Sequence, residues 1–301
     1  MDLSVDVGGL KLSNPLMQAS GILGGDPQAL ELVAKSGVGA LVTKTITIEP
    51  RKGYDPPIVV QTDCGLVNAV GLSNPGKGAI RELVEVGKKY NLPVIVSIAG
   101  KDEEEFSELA WEAEDSGASA IELNLSCPHA KGLGLELGMD INMVKNVVEA
   151  VSTTTSIPVF AKLGLVDRLV ETASKALEAG ASGLTLINTV RAMVIDIDAM
   201  MPVLSNKVGG LSGRAIKPIA VRAIYDVYKE TRAPIIGVGG IYSWKDAVEM
   251  ILAGASALQI GSALVEKGTK VFTEVRAGIS WWLYSHGFKS LREAVGLAHS
   301  K

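Results

Sequence analysis

The chain has 301 residues, 47% of them hydrophobic and only 5% aromatic, with 33 Gly and 12 Pro; this balance suits one large core of small and branched aliphatic side chains. Its net charge of −4 comes without any basic run longer than two or three residues, which argues against a nucleic-acid surface, because phosphate binding needs clustered cations. Cys64 and Cys127 form no C-x-x-C pair, no stretch approaches the roughly 20 apolar residues that span a bilayer, and the N-terminus lacks a signal peptide, so the expectation is a soluble cytoplasmic protein with no metal site, disulfide framework or membrane partner.

In chain order, a first strand candidate at Pro15–Ala19 precedes a helical pattern over 26–36, and Leu41–Thr43 forms a second strand. A long connection, 46–74, follows, in which Ile46–Ile48 and Pro57–Val60 are candidate lid strands. Helical spacing over 75–90 leads to a strand opened by proline at Leu92–Val96, then a helix over 102–116 and an apolar run, Ala118–Leu123. The connection 125–139 is again long. A helix over 140–152, a strand at Ile157–Ala161, a helix over 166–179 and a strand at Leu184–Leu186 come next. After a third long connection, 188–215, the order is helix 216–231, strand Ala233–Gly237, helix 243–253, strand Leu258–Ile260 and helix 262–284. A recurrent helix stop of the form Ser/Ala-Gly-Val/Ala precedes the strands at 41, 121, 184 and 258. Eight strand–helix units with strands apolar on both faces predict a single-domain α/β fold over 1–301, a (β/α)8 TIM barrel, with an open doubly wound sheet as the alternative. All three long connections follow strands, so they extend from the C-terminal face and cap it.

That face is where barrel chemistry is done, and the strand ends supply a polar set. Strand one ends in Ala19-Ser20-Gly21, strand two in Thr43-Lys44-Thr45 and strand three in Ser97. Strand four ends in Asn124, Ser126 and Cys127, strand five in Lys162 and strand six in Asn188-Thr189. Strands seven and eight end in Gly239-Gly240-Ile241 and Gly261-Ser262, glycine turns that each open a helix and so suit a phosphate. Lys44 and Lys162 point to an anionic ligand or, for the bland alternative, to a neighbouring carboxylate such as Glu122. Cys127 reads as a base, a nucleophile or a packed thiol. His286 and His299 read as solvated. After Gly237-Val238-Gly239, position 242 is Tyr rather than Gly, so no dinucleotide fingerprint is present, and a redox cofactor of this chain's own would be a mononucleotide.

Asn124-Leu125-Ser126-Cys127-Pro128, Asn68-Ala69-Val70-Gly71-Leu72, Thr43-Lys44-Thr45, Asn188-Thr189, Gly239-Gly240-Ile241 and Gly261-Ser262 resemble, in order and over nearly the whole chain, class I dihydroorotate dehydrogenase. The resemblance implies one FMN per chain and the oxidation of dihydroorotate to orotate in de novo pyrimidine biosynthesis. Cys127 would be the catalytic base for the C5 proton, with C6 giving hydride to the flavin. Class II members instead use serine and carry a membrane segment. Lys44, Asn68, Ala69, Val70, Gly71, Leu72, Asn124, Asn188 and Thr189 would bind substrate. Ser20, Lys44, Thr45, Asn124, Lys162, Ile187, Gly213, Gly239, Gly240, Gly261 and Ser262 would bind FMN. His129 and Ser97 depart from residues common in that family. Lys131–Gly138 is similar to the NAD-linked branch, which implies a partner subunit carrying FAD and a 2Fe–2S cluster, around a homodimer of this chain within a heterotetramer. The alternatives are a fumarate-linked homodimer and a dihydropyrimidine dehydrogenase-like flavoenzyme.

Overall fold

A computed structural model describes residues 1–126 and 140–300. Eight parallel strands form its centre: β1 (Leu16–Gln18), β2 (Leu41–Val42), β3 (Val94–Ile98), β4 (Ala120–Asn124), β5 (Val159–Leu163), β6 (Gly183–Leu186), β7 (Ile235–Val238) and β8 (Ala257–Ile260). They are hydrogen-bonded in the order β1-β8-β7-β6-β5-β4-β3-β2. Between β2 and β1 the ring is closed by the Gly39 N–H donating to Leu16 O at 2.7 Å and by Gln18 Nε2 donating to Val42 O at 2.6 Å. A Cβ on Gly39 would lie 1.9 Å from Asn14 O, so only glycine permits this closure. The expected barrel, rather than the open sheet, is therefore the fold.

The connecting helices are α1 (Pro27–Ala34), α2 (Ile80–Tyr90), α3 (Glu103–Asp115), α4 (Ile141–Thr154), α5 (Leu169–Glu178), α6 (Lys217–Thr231) and α7 (Trp244–Ala253), followed after β8 by α8 (Ala263–Lys267) and α9 (Lys270–Ser285). The helix read over 262–284 is thus two, broken at Gly268, whose φ of +60° ends α8. The prolines stand one residue ahead of their strands. Pro93, Pro158 and Pro234 lack a donor, but their carbonyls accept from Leu41, Ile121 and Leu184 at 2.9, 2.9 and 3.0 Å and start the ladders.

Two parts of the architecture lie outside the eight-unit pattern. Val5–Val7 and Leu10–Leu12 pair as an antiparallel hairpin. Its Gly8-Gly9 turn abuts Ser182 and Pro158, at the N-terminal ends of β6 and β5, so it closes the bottom of the barrel. At the opposite end, the first and third long connections combine into one antiparallel sheet in the order 190–192, 209–212, 65–68, 59–62. This is the expected cap, but most of its strands differ from the candidates: Ile46 only bridges to Ile98, and Val59–Thr62 pairs with Gly65–Asn68. His299 is also not solvated; its ring stacks on Tyr225 at 3.9 Å, and its Nε2 is 2.9 Å from Ala253 O. His286 is exposed.

Candidate functional site

The cap sheet and the C-terminal ends of the strands enclose a cavity of about 480 Å³. From the barrel it is lined by Ser20, Lys44, Thr45, Asn124, Lys162, Ile187, Asn188, Thr189, Gly239, Gly240, Gly261 and Ser262. From the cap it is lined by Asn68, Val70, Gly71, Leu72 and Gly213. Residues from seven strand ends and two connections, distant in sequence, therefore meet at one cavity. Ala69 does not line it. On the strand ending at Asn68 successive side chains alternate, so Leu66, Asn68 and Val70 face the cavity while Val67 and Ala69 are buried with Leu204 in the cap's own small core. Cys127, Pro128, His129 and the Lys131–Gly138 segment lie outside the described residues.

The strand interiors explain how the polar groups are held. Lys162 on β5 is 4% exposed, and Glu122 on β4 is fully buried. Lys162 Nζ donates to Glu122 Oε1 at 3.1 Å, to Ser20 Oγ at 3.1 Å and to Gln259 Oε1 on β8 at 3.2 Å. Gln259 Nε2 donates to Glu122 Oε2 at 2.6 Å, so one amide bridges both ions. The carboxylate that the sequence offered as the bland partner for Lys162 is its partner, and the lysine nonetheless lines the cavity.

A second chain of hydrogen bonds runs from this pair to the rim. A carboxylate only accepts, so Ser97 Oγ donates to Glu122 Oε1 at 3.1 Å, which leaves Thr45 Oγ1 to donate to Ser97 Oγ at 3.0 Å. Asn124 Nδ2 then donates to Thr45 Oγ1 at 3.1 Å. This turns Asn124 Oδ1 toward Ser126 and Asn188, whose Nδ2 donates to Ser126 Oγ at 3.0 Å. Ser97 is itself fully buried and does not line the cavity. Lys44 Nζ donates to Gly21 O at 3.3 Å and also faces the cavity.

Gly239 and Gly240, also on the cavity lining, take φ values of +127° and +77°. Among the described residues, the N–H groups of Gly240, Ile241, Gly261 and Ser262 have no backbone partner. These two turns present donors to the cavity as a phosphate requires. The start of α7 does not contribute in the expected way, because it is capped by its own side chains. Asp246 accepts from the N–H groups of Tyr242 and Ser243 at 3.1 and 2.9 Å and from Ser243 Oγ at 2.8 Å. Burial opposes ionisation of Asp246, but the hydrogen bonds from Lys217, Ser243 and Tyr242 outweigh it and hold the carboxyl below its ordinary value. Burial pushes the phenol of Tyr242 up, and the Arg214 guanidinium lies 3.9 Å over its ring.

The arrangement combines a buried, hydrogen-bonded Lys162–Glu122 ion pair, Lys44, the open N–H groups of two glycine turns and three carboxamides, Asn68, Asn124 and Asn188. It fits a ligand with a phosphate and a polar ring system such as FMN, with a second small ring carrying amide-like donors and acceptors. Sequence reasoning passed over the apolar cavity walls Val59, Leu66, Ile216 and Val265 and the supporting residue Gln259. The signal for Gln259 was an amide inside an otherwise apolar strand.

The family model described as dihydroorotate dehydrogenase matches residues 2–283. A protein of Aeropyrum pernix named "Putative dihydroorotate dehydrogenase A (fumarate)" is 53% identical over 299 residues, covering 99% of this chain and 98% of its own. A protein of Pyrococcus furiosus named "Dihydroorotate dehydrogenase B (NAD(+)), catalytic subunit" is 50% identical over 299 residues, 99% of each chain. One of Thermoplasma acidophilum with the same name is 48% identical over 298 residues, again 99% of each. Among solved structures, an Eimeria tenella DHODH in complex with ferulenol shares the fold with a TM-score of 0.87 at 24% identity, covering 100% of this chain and 89% of that one.

Proposed function

The chain belongs to the dihydroorotate dehydrogenase family, and on that basis we propose that it oxidises dihydroorotate to orotate in pyrimidine biosynthesis, as a single cytoplasmic domain that binds FMN in the barrel-mouth cavity. The observation that carries this reading is the cavity itself, which brings together the buried Lys162, the open N–H groups of two glycine turns and three carboxamides. Bound FMN supplies a hydride acceptor for C6 of the substrate. The N–H groups of Gly240, Ile241, Gly261 and Ser262 hold its phosphate, and Lys162, Ser20 and Thr45 hold its polar ring edge. Lys44 meets the substrate carboxylate, while Asn68, Asn124 and Asn188 orient the pyrimidine ring. Cys127 is the base for the C5 proton; a thiol's reference pKa of about 8.5 is close enough to neutrality to be tuned for this task.

Electrons then leave through a partner subunit carrying FAD and a 2Fe–2S cluster to NAD, with this chain as a homodimer within a heterotetramer. The Pyrococcus and Thermoplasma names support this acceptor and the term catalytic subunit. The Aeropyrum relative's name favours a second reading, fumarate as acceptor without such a partner. Among the described residues no helix is long and apolar enough to cross a membrane.

Anaerobic addition of dihydroorotate to the yellow protein should bleach the flavin without NAD, and dihydrouracil, which lacks the carboxylate for Lys44, should bleach it far more slowly. Flavin that stays oxidised with dihydroorotate overturns the substrate. Cys127→Ser should keep the flavin and lose most turnover; unchanged turnover removes Cys127 from the mechanism. Reoxidation of the reduced chain by fumarate alone would favour the second reading, and co-purification with a flavin–iron–sulfur subunit the first.

A further inference from the structure

Lys162 is the lysine at the floor of the cavity, and a lysine there would ordinarily be read as a cation offered to the ligand. Its surroundings argue otherwise. The anion that compensates it is already present: Glu122 Oε1 lies 3.1 Å from Nζ, with both side chains essentially out of water at 5% and 0% exposure. Glu122 is in turn held by donors that do not reach the cavity, Ser97 Oγ at 3.1 Å and Gln259 Nε2 at 2.6 Å. Gln259 also accepts from Lys162 at 3.2 Å, which fixes the two ions relative to each other. The pair is neutral as a unit before any ligand binds, and in a weakly screened interior that neutrality extends to whatever occupies the cavity above it.

We propose that Glu122 is a positioning residue that masks the charge of Lys162, so that the cavity favours the reduced, anionic form of FMN less than a bare lysine would. This rests on the flavin reading above. Neither the strand-end motifs nor the comparisons single out Glu122. Glu122 does not line the cavity, and it acts through Lys162.

The test is the two-electron midpoint potential of FMN bound to the full chain, measured by dye equilibration at one pH for wild type, Glu122→Gln and Glu122→Asp. Glu122→Gln keeps the shape and removes the negative charge. Its preference for reduced over oxidised FMN should rise ten- to a hundredfold, an upward shift of about 30–60 mV for a two-electron couple. Glu122→Asp keeps the charge but withdraws it by one methylene, and should move the potential the same way by less. If Glu122→Gln does not fold, the Asp variant decides alone: a rise supports the proposal, and a wild-type potential overturns it. A purely structural role would weaken FMN binding in both redox states equally and leave the potential where it was, which also overturns it. Wild-type protein that neither carries nor takes up FMN sinks the flavin reading itself, an outcome distinct from a flavin-loaded Glu122→Gln with an unchanged potential.

Discussion

Replacing Lys162 by Met tests whether the ion pair under the cavity is part of the fold's stability. The substitution keeps a long unbranched side chain and removes the charge. It leaves Glu122, with no exposed surface, without its cation, and it takes the donor from Ser20 Oγ and Gln259 Oε1. Breaking one partner of a buried pair costs about 3–5 kcal/mol. Glu122 keeps two of its three side-chain donors, Ser97 and Gln259, which places the loss at the lower end, about 3 kcal/mol. For a chain of this size that corresponds to a fall in Tm of about 5 °C. Urea denaturation of the flavin-free protein should show the lower midpoint with an unchanged slope. The double variant Lys162→Met/Glu122→Leu, with both ions gone, should recover about 2 kcal/mol of the loss. The exposed pair Lys52–Asp55 is the control, and Lys52→Met there should change nothing measurable. A loss below about 1 kcal/mol for Lys162→Met, or a double variant no more stable than the single, would refute the reasoning.

Gly240→Ala forces a left-handed φ of +77° on a residue with a Cβ, which would sit 2.7 Å from the Lys217 Cβ and 2.9 Å from Gly213 O. The expected cost is about 1–3 kcal/mol, together with weaker FMN binding, read by thermal melting and flavin fluorescence titration. Phe160→Ala empties a fully buried site on β5 and should cost about 3–5 kcal/mol in the same melts. Asp246 is held below its ordinary value of 3.8, so its contribution to stability is present above that pH and is lost as pH falls through its lower folded value. Its partner Lys217 is raised, mainly by its hydrogen bond to Glu249, so that contribution is full below 10.5 and fades only as pH rises through the higher folded value. Asp246→Asn should therefore lose about 1 kcal/mol at neutral pH and flatten the acid limb of the stability profile, checked by urea midpoints against pH.

The barrel was legible because its strands are buried on both faces and each is preceded by a glycine helix stop or a proline, so apolar runs and punctuation mark every unit. Leu41–Val42 is two residues long and was still readable, since the Gly-rich stop before it and Lys44 after it bound it on both sides. The cap's position was legible from the long connections, but most of its strands were not, because they are half-exposed and its two halves pair across more than a hundred residues: Asn68 is in register with Gly210, and Val59, 48% exposed, sits on the outer strand. No local pattern reports a partner that far away. The start of α7 misled in a different way. Its glycine turn resembles an anion site, but Asp246 in the first turn already satisfies the N–H groups of Tyr242 and Ser243, leaving the turn itself as the donor.

The placement of Ala69 and of the residues just before the strand ends has one physical origin, the two-residue period of a strand. A motif quoted as a block, Asn68 to Leu72, includes Ala69, which the pleat turns away from the cavity. The same period puts the residue two places before a strand-end site residue directly beneath it on the same face. Two places before Asn124 stands Glu122, before Thr45 Thr43, before Gly261 Gln259, before Ser20 Gln18 and before Ile187 Thr185. Every one of these five is polar and fully buried. Several do identifiable work: Thr43 Oγ1 accepts from the Ser97 N–H at 3.0 Å, Gln18 closes the barrel on Val42, and Gln259 clamps the ion pair. Gln18 Oε1 and Thr185 Oγ1 have no hydrogen-bond partner among the described residues and belong to this same layer. An interior that burial alone would fill with aliphatic side chains instead carries a polar layer immediately under the cavity. That layer costs desolvation and is repaid only by its internal hydrogen bonds, so its presence at this one level of the barrel is what ties the cavity's charge to the fold beneath it.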